Sequence, residues 1–393
     1  MAPPANPSSG GPRGQDRGRC AQVLDARCLI WSDAEAMNGN LYFDFYGVTV
    51  LVTFDEDEVG RRVENDFSHF VVSEIGGTPT LSLRTRCVEP DYESLPPLKA
   101  QVYSPRNICY PDGERTYIDY FGNALAIYDR SKFEIEIASP DIHLLHEIVF
   151  LSMISRVNEK LEDLGMHRVH ALAVESGGQA ALFMMPSGGG KTTLAMEFLK
   201  RVEHYRILSE DSPIIDRAGR ILPYPLRFGI VGEKPEAIQE EHLTFMKRME
   251  FEPKYLISLE AFEGSIANTP ATPQFLFIGD RTLGPDCRIQ PVGFVTAMKS
   301  LMRHMVVGVG LYQGVEFLLQ SSLADLFEGS GRFLSRFRRA VTLARRSEVF
   351  ALELGRLPAR NMATVIHFLE SRGFAKPNPI APPSPDSTRR EDA

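Results

Sequence analysis

The chain has 393 residues, of which 43% are apolar and 24% are charged, and its formal net charge is −8. The length suits two ordinary domains, and the apolar share is enough to bury a core, which excludes a fibrous or wholly disordered protein. The negative balance disfavours general binding to polyanions, so we expect no nucleic-acid partner.

Cysteine spacing and the absence of long apolar runs predict the location of the protein. The five cysteines are scattered without a C-x-x-C pair, which is typical of reduced thiols. No segment has the apolar core of a signal peptide, and none approaches the ~18 apolar residues of a membrane span. We therefore expect a cytoplasmic protein with no membrane partner.

Residues 1–20 and 378–393 are rich in proline and polar residues and are predicted to be disordered tails.

Residues 21–138 are predicted to form a β-rich N-terminal domain. Short runs of β-branched and aromatic residues, such as "LYFDFYGVTVLVTF" and "KFEIEIA", alternate with turn-forming stretches such as "DEDEVG" and "GGTP". This pattern favours antiparallel strands. The acids from Asp55 to Glu58 are interpreted as a solvated loop, with a metal site as the alternative.

Residues 139–165 are predicted to form a helix that connects two domains. Ser139 is the candidate N-cap, Pro140 occupies the first helical position, and Asp141 lies in the first turn. Apolar residues follow at helical spacing from Leu144 to Leu161, and Gly165 is a natural end.

Residues 166–377 are predicted to form an α/β domain built around a glycine-rich loop. "HALAVE" and "AALFMM" are predicted strands joined by the tight turn "SGGQ". The loop "PSGGGKTT" follows, then a helix through "TTLAMEFLKRV", and then the strand "YRILS", which ends at Glu210 and Asp211. A strand, a loop, a helix and a second strand in this order are the context that a phosphate-binding loop requires.

The loop has the residue types that hold the phosphates of ATP. Backbone N–H groups of a glycine wall point at phosphates, a lysine reaches the β- and γ-phosphates, and a hydroxyl binds Mg²⁺. The predicted cofactor-binding residues are Ser187, Gly188, Gly189, Gly190, Lys191, Thr192 and Thr193. Met185 stands where the usual pattern begins with glycine, at a strand exit that tolerates a side chain. The alternative is a glycine-rich turn that binds nothing.

Two acids and a histidine complete the candidate site. Glu210 and Asp211 follow a strand at the edge of the sheet where ligands bind, so they are candidate Mg²⁺ ligands together with Thr192, and one of them could accept a proton. Two solvated acids in a turn are the alternative. His170 precedes the loop by one hairpin, and its spacing alone assigns it no role.

These motifs resemble the C-terminal kinase domain of HPr kinase/phosphorylase and its relatives, whose nucleotide-binding core the phosphoenolpyruvate carboxykinases share. The resemblance covers roughly residues 166–369 and is carried mainly by "HALAVESGGQAALFMMPSGGGKTTL" and "YRILSEDSPII". It implies a P-loop kinase domain after the β-rich domain, an α+β and α/β fold overall. It also implies catalytic roles for His170, Lys191, Glu210 and Asp211. Met185, Glu210 and the segment "PLRFGI" with Arg227 depart from the family pattern.

The resemblance implies an ATP-dependent kinase that transfers the γ-phosphoryl group to a hydroxyl, such as a serine, of a protein, peptide or small molecule. A non-catalytic ATP-binding module that recognises a partner is the alternative, and carboxykinase activity is a distant third. The family also suggests a homo-oligomer. A run of six arginines between Arg332 and Arg346 is interpreted as a solvated basic face, with docking of the acceptor as the alternative.

Overall fold

The computed structural model describes residues 37–186, 188–236, 238–248, 252–307 and 323–374, with side chains from residue 331 onward in the last range. The predicted tails and Ser187 lie outside these residues. The described residues form a mixed α/β fold with four sheets. The largest sheet has nine strands in the order β3-β1-β2-β4-β9-β8-β7-β6-β5. Its strands are β1 (Gly39–Phe45), β2 (Val48–Phe54), β3 (Val71–Val72), β4 (Leu81–Arg86), β5 (Val102–Tyr103), β6 (Ile108–Asp112), β7 (Arg115–Asp119), β8 (Leu125–Asp129) and β9 (Glu134–Ala138).

The nine-stranded sheet differs from the antiparallel prediction at two pairings. Strands β2 and β4 are parallel, and so are β4 and β9. The stretch "DEDEVG" is not a turn, because helix α1 (Asp57–Asp66) begins there with Glu56 as its N-cap. A helix after β2 carries the chain back to the end from which β2 started, which allows a parallel strand to follow. The acids of this stretch cap α1 and pair with arginines, as Asp55 does with Arg86, so they form no free loop.

Helix α2 (Ile142–Asp163) is confirmed, but it begins later than predicted. Asp141 is the N-cap, and its carboxylate accepts hydrogen bonds from the backbone N–H groups of His143 and Leu144 at 2.8 and 3.4 Å. Ser139 instead donates its hydroxyl to the carbonyl of Asn123 at 2.8 Å. Gly165 follows the helix with a φ of 71°, a conformation that favours glycine.

The helices α1 and α2 cover one face of the nine-stranded sheet and share its core. Alternate residues of β2 point into that core, as do the apolar residues of α2 at helical spacing. Ile214, Leu222 and Tyr224, which come from the later part of the chain, are buried in the same core. Helix α2 therefore packs as part of the N-terminal layer as well as joining it to the rest.

The second large sheet has six strands in the order β13-β11-β12-β19-β21-β20. Its strands are β11 (Leu172–Ser176), β12 (Gln179–Met184), β13 (Arg206–Ser209), β19 (Thr272–Arg281), β20 (Arg288–Pro291) and β21 (Glu348–Leu354). One three-stranded sheet has the order β10-β14-β15, with β10 (His167–Arg168), β14 (Ile214–Ile215) and β15 (Ile221–Leu222). The other has the order β16-β18-β17, with β16 (Phe228–Val231), β17 (Leu243–Met246) and β18 (Lys254–Ile257). Strands β11 and β12 form the predicted hairpin, whose turn glycines have φ values of 57° and 82°.

Helices lie on both faces of the six-stranded sheet. They are α3 (Lys191–Leu199), α4 (Phe294–Leu301), α5 (Leu323–Arg346) and α6 (Pro358–Ser371). Apolar residues of α3 and α6 share a core with Leu172 and Val174 of β11. Apolar residues of α4 and α5 share a second core with Ala173, which lies between Leu172 and Val174 in sequence and points to the opposite face. Burial on both faces explains the nearly continuous apolar sequence of the central strands. In the described part of the chain no helix is long and apolar enough to cross a membrane.

Candidate functional site

The candidate site lies at one edge of the six-stranded sheet. Strands β12 and β13 are both antiparallel to β11, which lies between them, and β19 and β21 run parallel to β12. Four strands therefore end at the same edge. The glycine loop follows β12, and Glu210 and Asp211 follow β13, so the topology brings the loop and the two acids together across one strand.

The three loop glycines occupy positions that a larger residue would strain. Gly188 and Gly190 have φ values of 74° and 107°. A Cβ atom on Gly189 would lie 2.8 Å from the carbonyl oxygen of Pro186, which is closer than real Cβ contacts come. Gly190 is the N-cap of α3. The first N–H groups of this helix have no acceptor within the helix, and with the helix dipole they favour an anion at this end.

Met185 is accommodated without strain at the position where the usual motif has glycine. It is fully buried at the exit of β12, and its φ is not positive. Its side chain fills the space above Gly279 of β19, where an added Cβ would lie 2.4 Å from the Met185 Cγ. Its carbonyl oxygen accepts a hydrogen bond from the Lys191 ammonium at 3.1 Å. The absence of a side chain at Gly279 on the neighbouring strand therefore provides the space that the Met185 side chain occupies, and the loop backbone is left unobstructed.

Lys191, His170 and Asp211 form a contiguous polar cluster beside the loop. The Lys191 Nζ atom lies 2.8 Å from His170 Nε2 and 3.4 Å from Asp211 Oδ1, and His170 Nε2 lies 3.1 Å from Asp211 Oδ1. The sequence predicts His170 as the first residue of β11, but in the structure it precedes that strand by two residues. Its backbone N–H donates to the His304 carbonyl. Sequence spacing gave this histidine no role, because its contacts come from two other segments.

The two acids have opposite electrostatic environments. Burial and the charge of Asp211 raise the pKa of the Glu210 carboxyl. Burial also acts to raise the pKa of the Asp211 carboxyl, but hydrogen bonds and positive charge from His170 and Lys191 outweigh it, so that pKa is lowered. The Asp211 side chain keeps 47% of its surface exposed to the cleft. At neutral pH Asp211 is therefore an ionised carboxylate that a ligand can reach.

The residues predicted to hold Mg²⁺ are grouped by the fold. The Thr192 hydroxyl donates a hydrogen bond to Glu210 Oε1, and Asp211 is the next residue. In the described residues no group of three or more His, Cys, Asp or Glu side chains could hold a metal by itself. Mg²⁺ at nucleotide sites takes one or two carboxylates and completes its shell with phosphates and water, so oxygen donors of this kind fit such an ion.

A cleft of about 600 Å³ opens in front of these residues. Gly188, Gly190, Thr192 and the exposed Thr193 line it on the side of the loop. Helix α2 contributes a second, apolar wall. Positive side chains that the sequence did not assign to the site also line the cleft. The apolar residues are Phe150, Leu151, Ile154 and Leu226, and the additional cations are Arg168, Arg227, Arg248, Lys254 and Arg281.

Arg227 ties this cleft to the N-terminal layer. Its guanidinium is buried, donates to the carboxylate of Asp66 in α1, and lies 3.1 Å from His146 Nε2 in α2. His146 Nε2 in turn lies 2.7 Å from Asp66 Oδ2. The guanidinium also lies 3.7 Å from the centre of the Phe150 ring, a cation–π contact. No local sequence signal could reveal the cluster of Asp66, His146 and Arg227, since these three residues are separated from one another by 80 residues or more.

The arginine run in α5 is a solvated face only in part, because Arg338 and Arg345 are exposed whereas the other four arginines contact neighbouring segments. Arg336 binds both carboxylate oxygens of Glu162 at 2.6 and 2.7 Å, and Arg332 lies 2.8 Å from Asp163. Arg339 and Arg346 donate to backbone carbonyls of the turn at residues 217–218. These arginines therefore fasten α5 to α2 and to the neighbouring turn.

Comparison with known proteins adds no family assignment. No protein-family model and no curated protein matches the chain. The inference of function therefore rests on the residues and geometry described above.

Proposed function

We propose that this chain is an ATP-dependent kinase that transfers the γ-phosphoryl group to a hydroxyl of a protein, peptide or small-molecule acceptor. The observation that carries the proposal is the cluster of Lys191, His170 and Asp211, whose polar atoms lie within 3.4 Å of one another beside a loop in which two glycines adopt positive φ values. A turn that binds nothing would have no need to bury a lysine against a histidine and an aspartate, because burying charge costs free energy.

The loop side of the cleft supplies what a triphosphate requires. Gly188, Gly190 and Thr192 line the cleft at the N-terminus of α3, whose first backbone N–H groups have no acceptor within the helix, and Lys191, which is 7% exposed, lines the same cleft. A lysine in this position neutralises charge that develops on the β- and γ-phosphates during transfer. Thr192 and Glu210 supply oxygen donors for Mg²⁺, which would neutralise phosphate charge when bound.

The acceptor hydroxyl needs a group that receives its proton, and Asp211 suits this role better than Glu210. Asp211 is ionised and exposed to the cleft, whereas Glu210 accepts the hydrogen bond of Thr192 and has a raised pKa. In the proposed step a bond forms between the acceptor oxygen and the γ-phosphorus, and the bond from that phosphorus to the β–γ bridging oxygen breaks. The hydroxyl proton passes to the Asp211 carboxylate, and ADP leaves.

The proposal is tested with purified protein, Mg²⁺, γ-labelled ATP and a panel of candidate acceptors, beside the Lys191→Ala variant. We expect nucleotide binding, transfer of label by the unsubstituted protein, and loss of both binding strength and transfer in the variant. Tight Mg²⁺-ATP binding without transfer or hydrolysis would instead support the non-catalytic binding module. Absence of ATP binding would contradict both functions.

A further inference from the structure

The cleft contains more positively charged side chains than binding of the nucleotide phosphates requires. Lys191 and the loop N–H groups already serve the phosphates. A separate group of Arg227, Arg248 and Lys254 lies on the wall formed by residue 227, the residues after β17 and the first residue of β18. We name these three residues the cation wall. Concentrating positive charge in one part of a cleft favours a ligand with negative charge there.

Lys254 is the member of the cation wall whose charge is least compensated. Within the described residues no carboxylate lies at ion-pair distance from its ammonium, whereas Arg227 is paired with Asp66 and Arg248 donates to the Glu252 carbonyl at 2.8 Å. Its side chain lies over Gly229 of β16, where an added Cβ would be 3.2 Å from both Cδ and Nζ. The glycine thus leaves room for the lysine to lie along the wall of the cleft.

The electrostatic environment of Lys254 agrees with this geometry. Burial and the positive charges of Arg227 and Arg248 lower the pKa of its ammonium to about 8, although Asp66 and Glu210 act in the opposite direction. A partly buried ammonium that feels the charge of two guanidinium groups is costly unless an anion joins it. A carboxylate or phosphate at this place would offset that cost.

The position of the cation wall separates it from the phosphate loop. The loop lies at the end of β12, whereas Lys254 and Gly229 belong to the small sheet β16-β18-β17. The apolar residues Phe150, Leu151 and Ile154 of α2 close another side. A cleft of about 600 Å³ is of ordinary size for small-molecule sites, and it must also admit the end of a triphosphate, so little room is left for the acceptor.

We propose that the acceptor is a small hydroxyl compound that carries a carboxylate or phosphate, and that Lys254, with Arg227 and Arg248 beside it, binds this anionic group. The proposal rests on the kinase function above and names its class of substrate. Binding of the anion to the cation wall would direct the hydroxyl of a short molecule towards Asp211 and the transferred phosphate. Lys254 is then a specificity-determining residue and takes no part in the transfer itself.

The test uses the full chain with Mg²⁺ and a non-hydrolysable ATP analogue, so that the phosphate loop is filled. Glycerate, glycerol 3-phosphate and glycerol serve as probes, since they share a hydroxyl but differ in charge. Binding is measured by titration, and acylation of lysines is followed by mass spectrometry with and without each probe. We expect the two anions, but not glycerol, to bind and to slow acylation of Lys254, while acylation of the exposed Lys132 outside the cleft is unchanged.

The variants separate the acceptor's anion from the nucleotide's phosphates. We expect Lys254→Gln to weaken binding of the anionic probes about tenfold or more, as loss of a hydrogen bond to a charged group does, and to leave affinity for the nucleotide unchanged. Lys254→Arg should restore much of the binding, and Lys132→Gln should match the unsubstituted protein. Circular dichroism checks that each variant is folded.

Three results would overturn the inference. They are equal binding of glycerol and the anions, no protection of Lys254 by either anion, and a loss of nucleotide affinity in Lys254→Gln as large as the loss of probe affinity. The probe titration is repeated without nucleotide, so its result holds even if the protein binds no ATP. Failure of ATP binding would contradict the kinase function, whereas failure of the anionic probes alone would contradict only the class of acceptor.

Discussion

Replacement of Asp211 by asparagine tests the proposed proton acceptor with little change of shape. The substitution removes a negative charge that lies 3.4 Å from the Lys191 ammonium. At this separation two unit charges attract by about 1 kcal/mol in water and by about 5 kcal/mol at an effective dielectric constant near 20. Because the Asp211 side chain is 47% exposed, the lower figure is the closer one.

The two functions of Asp211 predict different effects on binding and on turnover. Thr192 and Glu210 remain as the oxygen donors for Mg²⁺, and loss of the ion pair frees Lys191 for the phosphates. We therefore expect the Kd for Mg²⁺-ATP to stay the same or to fall by about fivefold at most. Loss of the proton acceptor should lower the rate of transfer, or of slow hydrolysis with water as acceptor, by about 10² to 10⁴.

Nucleotide titration and release of labelled phosphate measure the two quantities on the same samples. Asp163→Asn is the matched control, because this aspartate is 41% exposed and also paired with a cation, Arg332, but lies on α2 outside the cleft lining. A turnover rate in Asp211→Asn within a few-fold of the control would refute the role of Asp211. Such a rate together with a large loss in Glu210→Gln would assign the proton to Glu210.

Three further predictions concern the loop, a buried ion pair and a buried histidine. Gly189→Ala should abolish tight nucleotide binding in a titration, because its methyl group would collide with the loop backbone, whereas Gly293→Ala, which meets no atom within 4 Å, should bind normally. Asp66→Asn should lower the free energy of unfolding in urea by about 3–5 kcal/mol, since it leaves the buried Arg227 guanidinium without its carboxylate; a loss below 1 kcal/mol would contradict this reasoning. Burial and nearby arginines lower the pKa of His167 from 6.5 to about 4. Between these pH values the histidine binds a proton in the unfolded chain but not in the folded chain. The free energy of unfolding should therefore fall as the pH drops from about 6.5 to about 4. The slope measured by urea unfolding across this range should be shallower in His167→Gln, and identical slopes would count against the assignment.

Local sequence patterns predicted the elements whose formation depends on near neighbours. The hairpin "SGGQ", the glycine loop and the strand before Glu210 appear where predicted, and helix α3 does so too, although it ends at Leu199 and not at Val202. Glycine at positions of positive φ and apolar residues at regular spacing act within a few residues, so these signals can be read along the chain. The same approach missed α1, because its highly polar sequence "DEVGRRVEND" resembles a turn until the sheet provides a surface for Val59 and Val63.

The sequence by itself thus determined that a glycine-rich loop precedes a helix and that two acids follow a nearby strand. Only the tertiary structure decided that His170 lies against Lys191 and Asp211, that the Met185 side chain fills the space beside Gly279, and that Lys254 lies in the same cleft. The physical reason is the order of strands. Because β11 runs antiparallel between β13 and β12, their carboxyl ends meet at one edge, and residues far apart in sequence converge there.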